Sequence, residues 1–225
     1  MLFPTAALVL AAGALVAAQT PAGFTPEVAA RLDLVFGAKT VTVPGTSLTK
    51  AETAKQPTIG TTDAVLNGTY LWMMIGGTCK HTATLRNQHQ LSWTPGEAKT
   101  ITHALPNPSP ANFQNPSAGG RRTNLHAMLT GFKASSSSSS AGDVGAVHAL
   151  ATSATGPVAY TGPAPPAETP AHPHRYVSLL YETPAAGFAV TRAQVGQTLG
   201  FNLATFVAAV GLGAPVRANY FNVTG

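Results

Sequence analysis

Apolar residues fall into short runs along this chain, not into long helical stripes. Thr69-Tyr70-Leu71-Trp72-Met73-Met74-Ile75 is a continuous apolar run of strand length, the pattern of a strand covered on both faces. Arg175-Tyr176-Val177-Ser178-Leu179-Leu180-Tyr181 reads the same way. Leu32 to Phe36 and Lys39 to Val43 predict two short strands around Gly37, followed by a turn at Pro44-Gly45. Thr46 to Ile59 reads as an extended segment and loop. Leu125 to Leu129 restores order after a polar stretch, and Val216 to Val223 predicts a final strand. Val147 to Ala151 fits a short strand or a short helix. Pro26 to Leu32 predicts a short helix, with Thr25 as N-cap and Pro26 at the first helical position. Leu203 to Val210 predicts an amphipathic helix closed by Gly211. The serine run Ser135 to Ser140 reads as a surface loop. The sum is a mostly β chain with a few peripheral helices, one of them near the C-terminus.

Composition narrows the class. Charged residues make up 9 % of the chain, against about 25 % in an ordinary soluble domain. Gly, Pro, Ala, Ser and Thr take their place, which suits a loop-rich β protein facing an extracellular medium. The net charge is +5, but the basic residues are scattered and Arg121-Arg122 is their one adjacent pair. That distribution argues against nucleic acid as a partner. The single cysteine, Cys79, excludes an intrachain disulfide, and Cys79 with His81 lacks the further ligands of a zinc site.

Met1 to Ala18 reads as a signal peptide. Its apolar run, Ala7 to Ala17, is short for a bilayer span, and Val16-Ala17-Ala18 offers the small residues of a cleavage site before Gln19. An uncleaved membrane anchor is the alternative. No later segment is apolar enough to cross a membrane, so the expectation is a secreted protein whose residues 19–225 form one domain. Within it, Gly76 to Arg122 is polar and irregular, an insertion of unusual length for a compact domain. Asn67-Gly68-Thr69 and Asn222-Val223-Thr224 are glycosylation sequons.

No G-x-S-x-G elbow, P-loop or H-E-x-x-H motif occurs, and the eight acidic residues form no obvious acid–base pair. His81, His89 and His103 lie in the irregular region and read as solvated; His148 has no sequence partner. Candidate chemistry concentrates in Tyr160 to Tyr181. Prolines fix their backbone and cannot donate, so Gly162 to Pro166 predicts a rigid wall outside any ladder. His172, His174 and two tyrosines sit beside it, polar tips against an apolar lip, as in small-ligand pockets. His172 and His174 have the spacing of two metal ligands on a strand, but no third ligand is indicated. His174 alone fits either a structural histidine at the mouth of a strand or a ligand contact.

Tyr160-Thr161-Gly162-Pro163-Ala164-Pro165-Pro166, then His174-Arg175-Tyr176-Val177 and Leu180-Tyr181, resembles the signature of the phosphatidylethanolamine-binding protein family, which includes the Raf kinase inhibitor proteins. The tail is similar too, through Phe201-Asn202-Leu203, Phe206, Gly211-Leu212-Gly213, Pro215-Val216 and Asn219-Tyr220-Phe221. Leu34 to Pro44 looks like the first strands of secreted fungal members. The resemblance covers most of the mature chain outside Gly76 to Arg122. It implies an antiparallel β-sandwich with peripheral helices and a small anion pocket for phosphate-like head groups. Tyr160 belongs to its signature, Gly162, Pro165 and Pro166 would form the wall, and His174, Tyr176 and His126 would line the pocket. Imidazole, phenol and backbone donors hold an anion without a buried lysine.

Two departures stand out. Gly76-Gly77-Thr78-Cys79 occupies the place of the family's D-P-D-x-P motif, so the pocket aspartate is missing, and Ala127 stands where a tryptophan follows the first histidine. The break coincides with Gly76 to Ser117, an insertion or retained intron sequence; an uninterrupted transcript encoding it decides for insertion. The implied function is a secreted binder of a small phosphate- or carboxylate-bearing ligand or lipid head group, without catalytic machinery, metal or cofactor. Two alternatives follow from the resemblance. One is an enzyme or accessory in fungal polyketide anhydride (maleidride) biosynthesis, working with a biosynthetic enzyme partner. The other is an extracellular protease-inhibitor-like regulator.

Overall fold

A computed structural model of the 225-residue chain describes residues 18–77, 123–140, 146–169, 171–184 and 187–225. Residues 1–17 of the expected signal peptide (1–18), most of the irregular region (78–122), Cys79, His81, His89 and His103 lie outside the described residues. The elements in chain order are β1 (Asp33–Phe36), β2 (Lys39–Val41), β3 (Thr46–Leu48), β4 (Thr58–Thr61), β5 (Tyr70–Gly77), β6 (Thr123–Ser140), β7 (Ala146–Ala151), β8 (Pro157–Val158), β9 (Pro173–Glu182), α1 (Arg192–Val195), α2 (Leu203–Val210) and β10 (Arg217–Thr224).

The strands form one sheet in the order β2-β1-β4-β7-β6-β5-β9-β10-β3, with β8 on β6 off that path. The resemblance leads one to expect two facing antiparallel sheets. The described strands instead run as one connected, barrel-like sheet, and β10 pairs with β3 in parallel. The two ends of the path meet across β10. Asn219 donates through Nδ2 to Leu32 O at 2.9 Å and to Val41 O at 3.0 Å. Leu32 N also donates to Ala218 O at 2.8 Å, and Ala218 N to Ala30 O at 3.0 Å.

The continuous apolar runs are explained by burial on both faces. From β5, Leu71, Met73 and Ile75 enter one core with Val177, Leu179 and Tyr181 of β9 and the helix residues Val195, Leu203 and Phe206. The alternate residues Tyr70, Trp72 and Met74 enter a second core with Tyr176, Leu180 and Phe221. Period-two alternation thus feeds two apolar clusters, and neither strand has a polar face to show. Helix α2 begins where the Asn202 side chain accepts from Thr205 N at 3.0 Å, and ends at Gly211 with φ 71°. A left-handed cap of that kind suits glycine.

Several expectations change. Pro26 to Leu32 is not helical. Seven residues make a marginal helix, and here their backbone groups are bonded elsewhere: Val28 O accepts from Gln19 N at 2.7 Å, and Ala30 O and Leu32 N bond to β10. The serine run extends β6, with Ser138 to Ser140 in register with β7; main-chain pairing needs no apolar side chain. Val147 to Ala151 is strand β7, and Thr46 to Ile59 contributes to β3 and β4. The polar segment after β9 holds α1, whose Thr191 and Gln194 form a reciprocal capping box.

Candidate functional site

The site begins with an irregularity in pairing. Met74 pairs with Ala127, but Ile75 pairs with Leu125, so His126 is an extra residue on β6. A bulge of this kind frees a residue from the ladder and re-aims its side chain. The freed His126 carbonyl accepts from Thr161 N at 2.8 Å. The ring is held at both nitrogens: Nδ1 lies 3.0 Å from Thr161 O, and Nε2 lies 3.2 Å from Asn124 Nδ2. An amide nitrogen only donates, so Nε2 accepts and Nδ1–H donates to Thr161 O.

Strand β9 supplies the facing groups. His174 and Tyr176 are two residues apart and so share a face. The Tyr176 ring meets His126 edge to face at 5.1 Å and stacks on Phe221 at 5.5 Å. The floor below is Gly76, paired with Tyr176 across β5 and β9. A Cβ there would stand 2.8 Å from His126 Nε2 and 2.9 Å from Tyr176 Cε1. The two rings therefore occupy space that any side chain at 76 would need.

The wall lies outside the ladder, as the prolines require: no strand is assigned over the described residues between β8 and β9. Pro163 and Pro165 are buried, whereas Pro166 is exposed. Gly162 packs against the 53–54 backbone, where a Cβ would meet Thr53 O at 2.9 Å. Tyr160 spends its hydroxyl on Thr53 O at 2.6 Å and stacks on Trp72 at 6.3 Å. Its place is behind the wall, which it ties to the core. His172 precedes β9, so it does not share a strand face with His174. His148 is exposed on β7. Asn67 is exposed before β5, whereas Asn222 lies in β10 and donates its amide to Gly45 O at 2.8 Å.

Electrostatics single out His174. It is 3 % exposed, and its Nε2 lies 3.6 Å from Glu168 Oε1. Neither His174 Nε2 nor Glu168 Oε2 has a hydrogen-bond partner, and both are buried. Burial holds the His174 imidazole below its ordinary pKa; Glu168 pulls it back up, while His172 and Lys50 push it further down. Burial lowers His126 too, offset by its bond to the Thr161 carbonyl. Desolvation pushes the Tyr176 phenol up to about 12, so it stays protonated and able to donate.

The structure thus brings together His126, Tyr176 and the wall through Thr161, with His174 beside Tyr176 on β9. Sequence reasoning missed three contributors. Asn124 lies two residues before His126, a spacing that puts both on one strand face, although the bulge hides it. Glu168 sits in a proline-rich loop where no spacing rule links it to His174. Gly76 read only as part of the stretch replacing the aspartate motif, not as the floor under two rings.

A family model described as phosphatidylethanolamine-binding protein matches residues 61–221. No curated protein sequence matches the chain. Among solved structures, a carboxypeptidase Y inhibitor complexed with its cognate proteinase is similar at 15 % identity and TM-score 0.48, covering 88 % of this chain and 84 % of that one. A phosphatidylethanolamine-binding protein from Plasmodium vivax is similar at 13 % identity and TM-score 0.46, covering 90 % of this chain and 91 % of that one. Another, from Plasmodium falciparum, shows 13 % identity and TM-score 0.43 with the same coverage.

Proposed function

This chain belongs to the phosphatidylethanolamine-binding protein family, and from that premise we propose that it binds a small oxyanion, phosphate- or carboxylate-bearing, through His126, His174 and Tyr176. The observation that carries this reading is the buried His126–Tyr176 ring pair over Gly76, with the buried His174 imidazole two residues from Tyr176 on the same strand face. Protonated imidazole and phenol both donate, and charge-assisted donors of this kind suit oxyanions. Gly162, Pro165 and Pro166 give the site a rigid wall that costs little ordering on binding.

The pH dependence has a definite sign. Both imidazoles are depressed below 6.5 in the free protein, so they are neutral at pH 7. An anion favours the charged form of His174, whose Nε2 has no hydrogen-bond partner, while the Asn124 amide keeps His126 Nε2 an acceptor, so binding takes up a proton at His174. Phosphate affinity is therefore expected to rise as pH falls below 6.5. The same groups stabilise the fold above their unfolded pKa, and that contribution is lost as pH falls through their folded values. Titrating inorganic phosphate at neutral and acidic pH, read by the ring resonances of His126 and His174, checks this. Resonances that stay still at both pH values overturn the reading.

The apolar leader, the low charge content and the sequons support a secreted protein. Of the two sequons, Asn67 suits a glycan, since the Asn222 amide is already bonded to Gly45 within β10. Expression through a secretory pathway is expected to yield a mature N-terminus at Gln19 and an endoglycosidase-sensitive mass that Asn67→Gln abolishes. An intact leader, or a glycan at Asn222, is the contrary result.

A further inference from the structure

Glu168 is the acidic side chain set against His174, with side-chain exposures of 18 % for Glu168 and 4 % for His174. Their separation of 3.6 Å is too long for a hydrogen bond. The result is a buried acceptor, Glu168 Oε2, beside a buried ring nitrogen, His174 Nε2, in ionic contact through Glu168 Oε1 but each without a hydrogen-bond partner. Buried polar atoms are seldom left so, and each such case asks for a physical reason.

We propose that Glu168 is a specificity-determining residue, selecting oxyanions that carry an acidic proton, such as hydrogen phosphate or the monoanion of a phosphomonoester, over sulfate. This rests on the oxyanion reading of the site and sharpens it. A protonated phosphate offers one hydroxyl donor and several acceptor oxygens. The hydroxyl donates to Glu168 Oε2, while a neighbouring oxygen accepts from His174 Nε2–H. The two orphan atoms are satisfied by one ligand, with a shared proton between the carboxylate and the anion. Sulfate has no proton at neutral pH, so it would place a bare oxygen against the carboxylate. A buried acceptor left unpaired, or set against like charge, discriminates strongly. The Lys50 ammonium near His174 attracts both anions alike and does not distinguish them.

The proposal separates Glu168 from the other polar groups of the site. His126 Nε2 is already bonded to Asn124, and Nδ1 to Thr161. Those contacts set the ring's tautomer, not the ligand's protonation. The space over Gly76, in the stretch that stands in place of the family's aspartate motif, is filled by the His126 and Tyr176 rings. The carboxylate of this site thus enters from the loop before β9, on the His174 side.

The test is a pair of titrations of the full chain with inorganic phosphate and with sulfate at one pH and ionic strength. Wild type is expected to bind phosphate at least about tenfold more tightly than sulfate, the size of one charge-assisted hydrogen bond. Glu168→Gln should narrow the gap to about threefold or less, because its amide donates to sulfate as readily as it accepts from phosphate. Equal binding of the two anions by wild type overturns the proposal and leaves the oxyanion site standing. So does a gap that survives Glu168→Gln. Binding of neither anion removes the oxyanion reading and this inference together. If the variant does not fold, wild type decides alone with dimethyl phosphate, which has no acidic proton: binding equal to that of phosphate overturns the role of Glu168.

Discussion

Trp72→Ala is expected to lower the unfolding free energy by about 3–5 kcal/mol, the range for removing a large aromatic side chain from a packed core. Trp72 is fully buried in β5. It meets Phe132 edge on at 6.2 Å and stacks on Tyr160 at 6.3 Å. Tyr160 in turn bonds to Thr53 O, so the indole supports both the second core and the back of the wall. The indole Nε1 has no hydrogen-bond partner, which makes Trp72→Phe a useful companion. It keeps an aromatic ring and removes a buried unsatisfied donor, so its cost should be well below that of alanine. Urea unfolding measures both. An alanine variant within about 1 kcal/mol of wild type would show that the core collapses around the gap.

Gly76→Ala carries the second large effect, this time on the site. Overpacking a filled core typically costs about 1–3 kcal/mol. Here the atoms in the way are His126 Nε2 at 2.8 Å, His126 Cδ2 at 2.9 Å and Tyr176 Cε1 at 2.9 Å. Neither ring yields easily. His126 is bonded at both nitrogens, and Tyr176 is stacked on Phe221. The methyl group must break the Asn124 bond or lift the phenol, so phosphate affinity is expected to fall about tenfold or more, the equivalent of one lost charge-assisted bond. A folded Gly76→Ala protein that binds phosphate like wild type would mean the rings do not rest on bare backbone.

What the sequence could disclose follows from what its patterns encode. Strands β5 and β9 are legible because each is buried on both faces, which leaves an apolar run of strand length. Helix α2 is legible because its apolar residues keep a helical period and Gly211 closes it, although its Asn202 cap went unread. Helix α1 carries the same kind of punctuation in Thr191 and Gln194, but four residues are too few for an apolar period to emerge. The wall is legible in its prolines, since their constraint is local. The bulge at His126 is not, because it is a mismatch between two strands and neither shows it alone. The Glu168–His174 pair is hidden likewise, brought together by the path of a loop. The resemblance marks the missing aspartate motif, but only the placed rings show what fills the space over Gly76. Closure is the least legible feature, since Asn219 meets residues 32 and 41, which lie 187 and 178 positions away.

That closure also bears on how the chain behaves among copies of itself. A strand edge with unpaired N–H and C=O groups is a template for another chain, and proteins rich in such edges aggregate. Here the first half of β10 is flanked by β9 on one side and by residues 30–32 on the other, while its second half takes β3. A chain with few charges relies little on electrostatic repulsion to keep molecules apart. Asn219, by bonding across the seam, covers that flank with main chain and leaves no open ladder there for a neighbour to extend.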